Sequence, residues 1–176
     1  YAVSGKTADL RGAAQAWIAA DDPRYALKIL LRDGVPHEES LLKLAITASL
    51  ATGDAKQSLS VIDAYQTTQR AQGKTSKPSV DLVAHFVRAL LAANKVSRVP
   101  EFLAMLPAPD RLSRRQANEF ASAAVASGEI ALAKGFMERA LSLEGNDSAL
   151  LSRLAQVYEW SGQPEDALEM WLRASE

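Results

Sequence analysis

A few groups of residues have types and spacings that could do chemistry. Ser4-Gly5-Lys6-Thr7 imitates the end of a phosphate-binding loop. That loop needs an earlier glycine, a preceding strand and turn N–H groups that wrap the phosphate. With so little chain upstream of Ser4, a helix N-terminus is the better reading. The two histidines are His37, at a loop–helix junction, and His85, inside a helix. Neither has a His or Glu partner at metal-ligand spacing, so no metal site is expected. The acid pairs Asp21-Asp22 and Glu38-Glu39 are adjacent and would point apart on a helix. They read as caps and first-turn charges rather than as a glycosidase pair. Asn146-Asp147-Ser148 fits a glycosylation pattern but is also ordinary capping chemistry. Trp17, Trp160 and Trp171 could form a sugar-stacking platform. Trp17 and Trp171 are expected in the core, and Trp160 is expected to be half open and able to touch a ligand.

Composition narrows the classes. The chain has 176 residues, 48% of them hydrophobic and 23% charged, enough apolar material for a folded core. Its net charge of −1, from 20 basic and 21 acidic side chains, favours neither nucleic acid nor an anionic membrane. No apolar run approaches the ~20 residues of a membrane helix. The absence of cysteine removes disulfide, zinc-thiolate and cysteine-nucleophile chemistry. The chain opens at Tyr1 without initiator Met or signal peptide and stops in mid-pattern at Glu176, which reads as a segment of a larger protein.

The elements that would position any site repeat along the chain. Gly162-Gln163-Pro164-Glu165-Asp166-Ala167-Leu168 spells a tight turn and a helix start: proline at the first helical position and acids in the first turn. The pattern recurs at Gly128-Glu129-Ile130, at Gly53-Asp54-Ala55 and at Asp21-Asp22-Pro23, with Asn94-Lys95-Val96 as an imperfect copy. The turn positions 21, 53, 94, 128 and 162 are thus 32, 41, 34 and 34 apart. Apolar residues recur at spacings of three and four on both sides of each turn, as in Leu151, Leu154, Ala155 and Tyr158 before the last and Ala167, Leu168, Trp171 and Leu172 after it. Asp147, Ser79 and the Ser113/Gln116 capping box mark helix starts. The pattern predicts helices near 7–20, 23–33, 37–52, 54–71, 79–94, 98–106, 113–127, 129–144, 147–161 and 164–175, with no strand.

On these residues the chain resembles the tetratricopeptide repeat (TPR) family, whose unit is a 34-residue helix–turn–helix. The fifth repeat carries the signature best, in Leu151, Leu154, Ala155, Tyr158, Gly162, Ala167, Trp171 and Ala174. The fourth follows with Phe120, Ala121, Ala124, Gly128, Ala133, Met137 and Ala140. The first has Leu10, Ala13, Ala14, Trp17, Ala26 and Leu30 but Asp21 for the glycine. The second keeps Leu42, Ala45 and Gly53 but has Ser58 and Tyr65 for alanines. The third has Val99 for alanine and Pro100 inside the helix start. The resemblance implies an all-α, right-handed α-solenoid of about five units, near 7–36, 37–78, 79–112, 113–146 and 147–176, in a single domain spanning 1–176.

In this family the first helix of each unit lines a concave groove. Carried over, that places Arg11, Gln15, Lys43, Thr47, Asp81, Arg88, Arg115, Asn118, Ser122, Ser152, Gln156 and Glu159 along the groove, with Trp160 at its edge. Four bases against two acids make it mildly positive, suited to an acidic or polar partner. The Lys/Asn carboxylate clamp of some members is missing, because Gly12, Leu44 and Ala84 stand where it needs polar groups. Thr67 to Pro78 is polar and locally basic through Arg70, Lys74 and Lys77, and reads as a helix extension plus a mobile loop.

The expected function is a non-catalytic protein–protein interaction scaffold with no cofactor, metal or nucleic acid, reaching a membrane only through other parts of a longer protein. A narrower resemblance is to the periplasmic repeat region of bacterial exopolysaccharide exporters of the Pel or cellulose type, which implies a polysaccharide-modifying enzyme as partner. The alternatives are a groove that binds polysaccharide itself and a cytoplasmic location.

Overall fold

A computed structural model describes residues 2–32, 35, 38–73, 77–145 and 147–176, with side chains from Lys6 onward except at Glu144. Among these residues there are ten α-helices and no strand: α1 Ala2–Ala19, α2 Pro23–Leu30, α3 Glu39–Ala51, α4 Ala55–Ala71, α5 Val80–Ala92, α6 Val99–Leu103, α7 Arg114–Ser127, α8 Ile130–Glu144, α9 Ser148–Trp160 and α10 Pro164–Ala174. Short 3₁₀ turns at Val96–Arg98 and Pro109–Arg111 flank α6. The all-α helical-repeat class implied by the sequence is the class observed.

The turn periodicity has a local cause. Asp21, Gly53, Asn94, Gly128 and Gly162 all adopt left-handed backbone, with φ of 61°, 73°, 54°, 79° and 71°. At each, the next residue's N–H reaches back five positions to a helix carbonyl: Asp22 to Trp17 at 2.9 Å, Asp54 to Ser49 at 3.1 Å, Lys95 to Leu90 at 2.8 Å, Glu129 to Ala124 at 2.8 Å and Gln163 to Tyr158 at 2.9 Å. The left-handed residue's own N–H reaches back three positions, as Gly53 does to Leu50 at 3.1 Å. This double bond pattern satisfies carbonyls that a helix end otherwise leaves unpaired. The residue that closes one helix then caps the next. Asp22 Oδ1 accepts the Tyr25 N–H at 3.1 Å, and Asp54 Oδ1 accepts that of Gln57 at 3.2 Å.

Other starts follow the sequence. Ser79 caps α5, Asp147 caps α9, and Ser113 with Gln116 forms the complete capping box of α7. Glu39, in the first turn of α3, accepts the Ser79 N–H at 3.0 Å, and Glu38 accepts the Thr7 hydroxyl at 3.2 Å. The Glu38-Glu39 pair therefore ties the start of α3 to α1 and to the start of α5.

Backbone contacts gather into two compact units, Tyr1–Lys95 and Val96–Glu176. The division falls inside the third repeat, just after Asn94, where the sequence matches the repeat pattern least well. In the first unit α1 packs on α2 and α3, α2 on α3, and α3 on α4 and α5. Its core includes Ile46, Ile62, Leu82, Phe86 and Leu90, with Tyr65 and Phe86 rings 5.2 Å apart. In the second unit α7 pairs with α8 and α9 with α10, and α8 packs on α9. Ala117, Ala121, Ala124, Ala133, Ala140, Ala155 and Ala167 are buried there, and Phe120 and Phe136 fill the space between.

Several expectations need correction. Helix α1 begins at Ala2 rather than near residue 7, so Ser4 to Thr7 lie within its first two turns. Helix α6 spans only Val99–Leu103, after a 3₁₀ turn, and Pro100 stands in its first turn, where no backbone N–H is required. Trp17 and Trp171 are not core residues. They are 38% and 36% exposed. No described helix covers the outer face of α1 or of α10, so Trp17 lies on the Tyr25 ring, centroids 4.4 Å apart, and Trp171 donates its Nε1–H to Glu159 at 2.9 Å. For the same reason Leu168 and Leu172 are exposed, and α10 buries Ala167 and Met170 instead. The readings placed on His37, Lys74 and Asn146 lie outside the described residues.

Candidate protein-binding faces

The first helices of the repeats are α1, α3 and α5 in one unit and α7 and α9 in the other. Side chains four apart on a helix share a face. Arg11 and Gln15 on α1 are both exposed, as is Thr47 on α3, while Lys43 and Arg88 are half-buried. Packing of α1 against α3 and of α3 against α5 brings these five residues onto adjoining helices of one unit. The Thr47 hydroxyl donates to the Lys43 carbonyl at 2.8 Å, so it is already committed within its helix. Asp81 is exposed at the start of α5. His85 lies half-buried beside it, Nδ1 at 2.7 Å from the Asp81 carbonyl, a bond within one turn. Cations therefore dominate this face, through Arg11, Lys43 and Arg88.

In the second unit Arg115 is exposed, Asn118 is half-buried and Ser122 is exposed, all on α7. The Ser122 hydroxyl donates to the Asn118 carbonyl at 3.0 Å and accepts from Arg153 Nη2 of α9 at 2.9 Å. Arg153 is the residue that sequence reasoning missed. Its place three before Gln156, on the same side of α9, was the available signal. Gln156 is exposed. Ser152 donates to its own helix at the Ser148 carbonyl, 2.8 Å, and Glu159 is engaged by Trp171.

Trp160 is 57% exposed, as its position before the turn suggested. It lies with α8 rather than with Gln156, lining an open depression of about 550 Å³ together with Ile130, Lys134, Gly135, Glu138 and Gln163. Beside it runs a polar strap across three helices. Lys134 donates to Gln163 Oε1 at 2.8 Å and stands 4.9 Å from the Tyr158 ring centroid, and Tyr158 donates to Glu138 at 2.8 Å. Burial first, and then this bond to the Glu138 carboxylate, pushes the Tyr158 phenol well above its ordinary range. A raised phenol favours the folded state below its ordinary pKa, and that contribution fades only as strongly alkaline pH reaches the raised value.

Among the described residues, no group of three or more His, Asp or Glu could hold a metal ion. No described helix is long and apolar enough to cross a membrane. The arrangement offers rows of hydrogen-bonding and cationic side chains on rigid helices.

A scan for known protein families finds no match to this chain, and a search of curated proteins finds none either. Solved structures do match. MamA residues 41-end from Desulfovibrio magneticus RS-1 is 14% identical with a TM-score of 0.65, covering 97% of this chain and 93% of that one. MamA AMB-1 is 15% identical with a TM-score of 0.69, covering 98% and 91%. A kinesin light chain protein of Podosopora anserina with nearly identical TPR-like repeats is 17% identical with a TM-score of 0.65, covering 97% and 93%. The fold is therefore that of TPR-like helical-repeat proteins. At these identities the likeness is one of fold.

Proposed function

We propose that this chain is a non-catalytic scaffold that holds partner proteins on the outward faces of its first-of-pair helices. The carrying observation is the pair of polar, cation-rich rows: Arg11, Lys43 and Arg88 on α1, α3 and α5, and Arg115 and Arg153 on α7 and α9. Helices closed at their C-terminal ends by the repeated left-handed turn present such rows with little ordering cost, the condition for binding an extended or helical partner segment. The fold likeness to TPR-like proteins supports the same reading. The finer reading is that the chain serves in the periplasm, as the repeat region of an exopolysaccharide exporter, with a polymer-modifying enzyme as its partner. Its support is the narrower family resemblance and the divergence among the repeats.

Affinity capture with the wild-type chain, set beside a Lys43→Glu/Arg88→Glu variant and an Arg115→Glu/Arg153→Glu variant, tests the scaffold. Proteins held by the wild type are expected to be lost from one variant or both, and more readily released as salt rises. Retention by both, with native circular dichroism, would move binding off these faces. A polysaccharide-modifying enzyme among the lost proteins would support the exporter reading, whereas retardation in a glycan gel removed by Trp160→Ala would favour polysaccharide as the ligand. Hydrolase, deacetylase and transferase assays are expected to be silent with and without divalent metals.

A further inference from the structure

The second helix of the first repeat carries charge that the fold leaves unused. Arg24 and Lys28 stand one turn apart on α2, Arg32 follows at the same spacing, and all three are exposed. Like charges at this spacing destabilise a helix, and α2 has only 8 residues with which to resist. Neither Arg24 nor Arg32 meets a carboxylate among the described residues, and Lys28 has the Tyr25 ring 5.9 Å away. Between α2 and the α3–α4 turn lies an open depression of about 600 Å³. Arg24, Leu27, Lys28 and Leu31 line it from α2 and its C-terminal end, and Thr52, Asp54 and Gln57 from the α3–α4 turn. Leu27 is buried, but Leu31 is 47% exposed, an apolar side chain with nothing over it.

One further detail decides what fits. Asp54, the acid of the depression, already accepts the Gln57 N–H as a helix cap. What remains open is two cations beside an exposed aliphatic side chain, Leu31. A free anion would use only the first and an apolar ligand only the second. An acidic peptide uses both, since its carboxylates supply the charge and a leucine-type residue the anchor.

We propose that this depression is a second docking site, separate from the faces above, for a short acidic peptide segment of a partner protein. Carboxylates pair with Arg24 and Lys28, and an aliphatic side chain covers Leu31. The site draws on none of the residues assigned to the helix faces, so it stands or falls independently of them.

Fluorescence anisotropy with the labelled peptide Glu-Asp-Leu-Glu-Glu-Leu-Asp-Glu, and with the same peptide carrying serines for both leucines, tests the proposal. The wild type is expected to bind the leucine peptide at least about tenfold more tightly than the serine peptide, since each tenfold corresponds to about 1.4 kcal/mol. Arg24→Glu/Lys28→Glu is expected to lose about tenfold or more in affinity, whereas Arg70→Glu/Lys77→Glu, an equal charge change outside both proposed sites, keeps it. Should the first variant misfold by circular dichroism, Arg24→Gln/Lys28→Gln replaces it, since it removes the repulsion within α2. Equal binding of the two peptides, full competition by heparin with no preference for the leucine peptide, undiminished binding by the charge variants, or no binding by the wild type would each overturn the proposal.

Discussion

The pairs α3–α4 and α9–α10 repeat one device with different side chains. In α9–α10 the small residues Ala155 and Ala167 are buried, and the two helices are in extensive close backbone contact. In α3–α4 the corresponding places hold Ile46 and Ser58, and the backbones stay further apart along much of the pair. Small side chains let helix axes approach, and branched ones hold them off. On α4 Ile62 is fully buried and Tyr65 lies against Phe86 of α5, while a buried hydroxyl pair, Ser49 and Ser58, links α3 to α4 with oxygens 2.7 Å apart. Ser49 also donates toward the Ala45 and Ile46 carbonyls, so each of these buried hydroxyls has somewhere to bond. One turn geometry therefore accepts either a tight alanine seam or a wider seam held by bulk and a polar bond.

The sharpest way to break the comparison is to exchange the two logics. Ile62→Ala empties the wide seam and is expected to cost about 2–5 kcal/mol, by lost transfer energy plus an unfilled cavity. Ala167→Leu overfills the tight seam and is expected to cost about 1–3 kcal/mol. Urea unfolding monitored by circular dichroism reads both. An unchanged midpoint for Ala167→Leu would mean that α9 and α10 do not meet at that residue.

Next in size is the serine pair. Ser49→Ala alone orphans the Ser58 hydroxyl and is expected to cost about 1–3 kcal/mol, whereas the Ser49→Ala/Ser58→Ala double variant is expected to be close to neutral. A double variant as costly as the sum of the two single changes would show that the hydroxyl bond does not couple the helices.

The smallest difference concerns the turns, glycine in the second, fourth and fifth repeats against aspartate in the first. Gly162→Ala puts a Cβ into left-handed backbone and is expected to cost about 1–2 kcal/mol. Asp21→Gly relaxes the same conformation in the first repeat but frees the unfolded chain, so the net change is expected to stay below about 1 kcal/mol. A destabilisation by Asp21→Gly matching that of Gly162→Ala would mean that the Asp21 carboxylate itself holds the turn.

Much of the fold was legible in the sequence because its signals are local. The five turn positions, the caps at Ser79, Ser113 and Asp147, and the helix starts at Pro23 and Pro164 all act within about five residues of themselves. Burial of Ala133 and Ala167 followed from their fixed distance to those turns. The candidate faces were half legible. Helix spacing grouped Arg11 with Gln15 and Arg115 with Asn118 and Ser122, but it gave no partner for Ser122.

What the sequence by itself determined is where most of the helices, α1 and α6 apart, begin and end, and which stripe of each is apolar. Backbone hydrogen bonding and side-chain propensity set these over a few neighbouring residues. Only the tertiary structure decided that Trp17 and Trp171 stay partly open, that Trp160 lies beside α8, that Arg153 meets Ser122 across 31 residues of chain, and that Arg24, Lys28 and Leu31 line one depression with the α3–α4 turn. An apolar stripe becomes core only where a second helix covers it, and a charge becomes part of a site only where a distant wall faces it. Both depend on neighbours that local sequence does not specify.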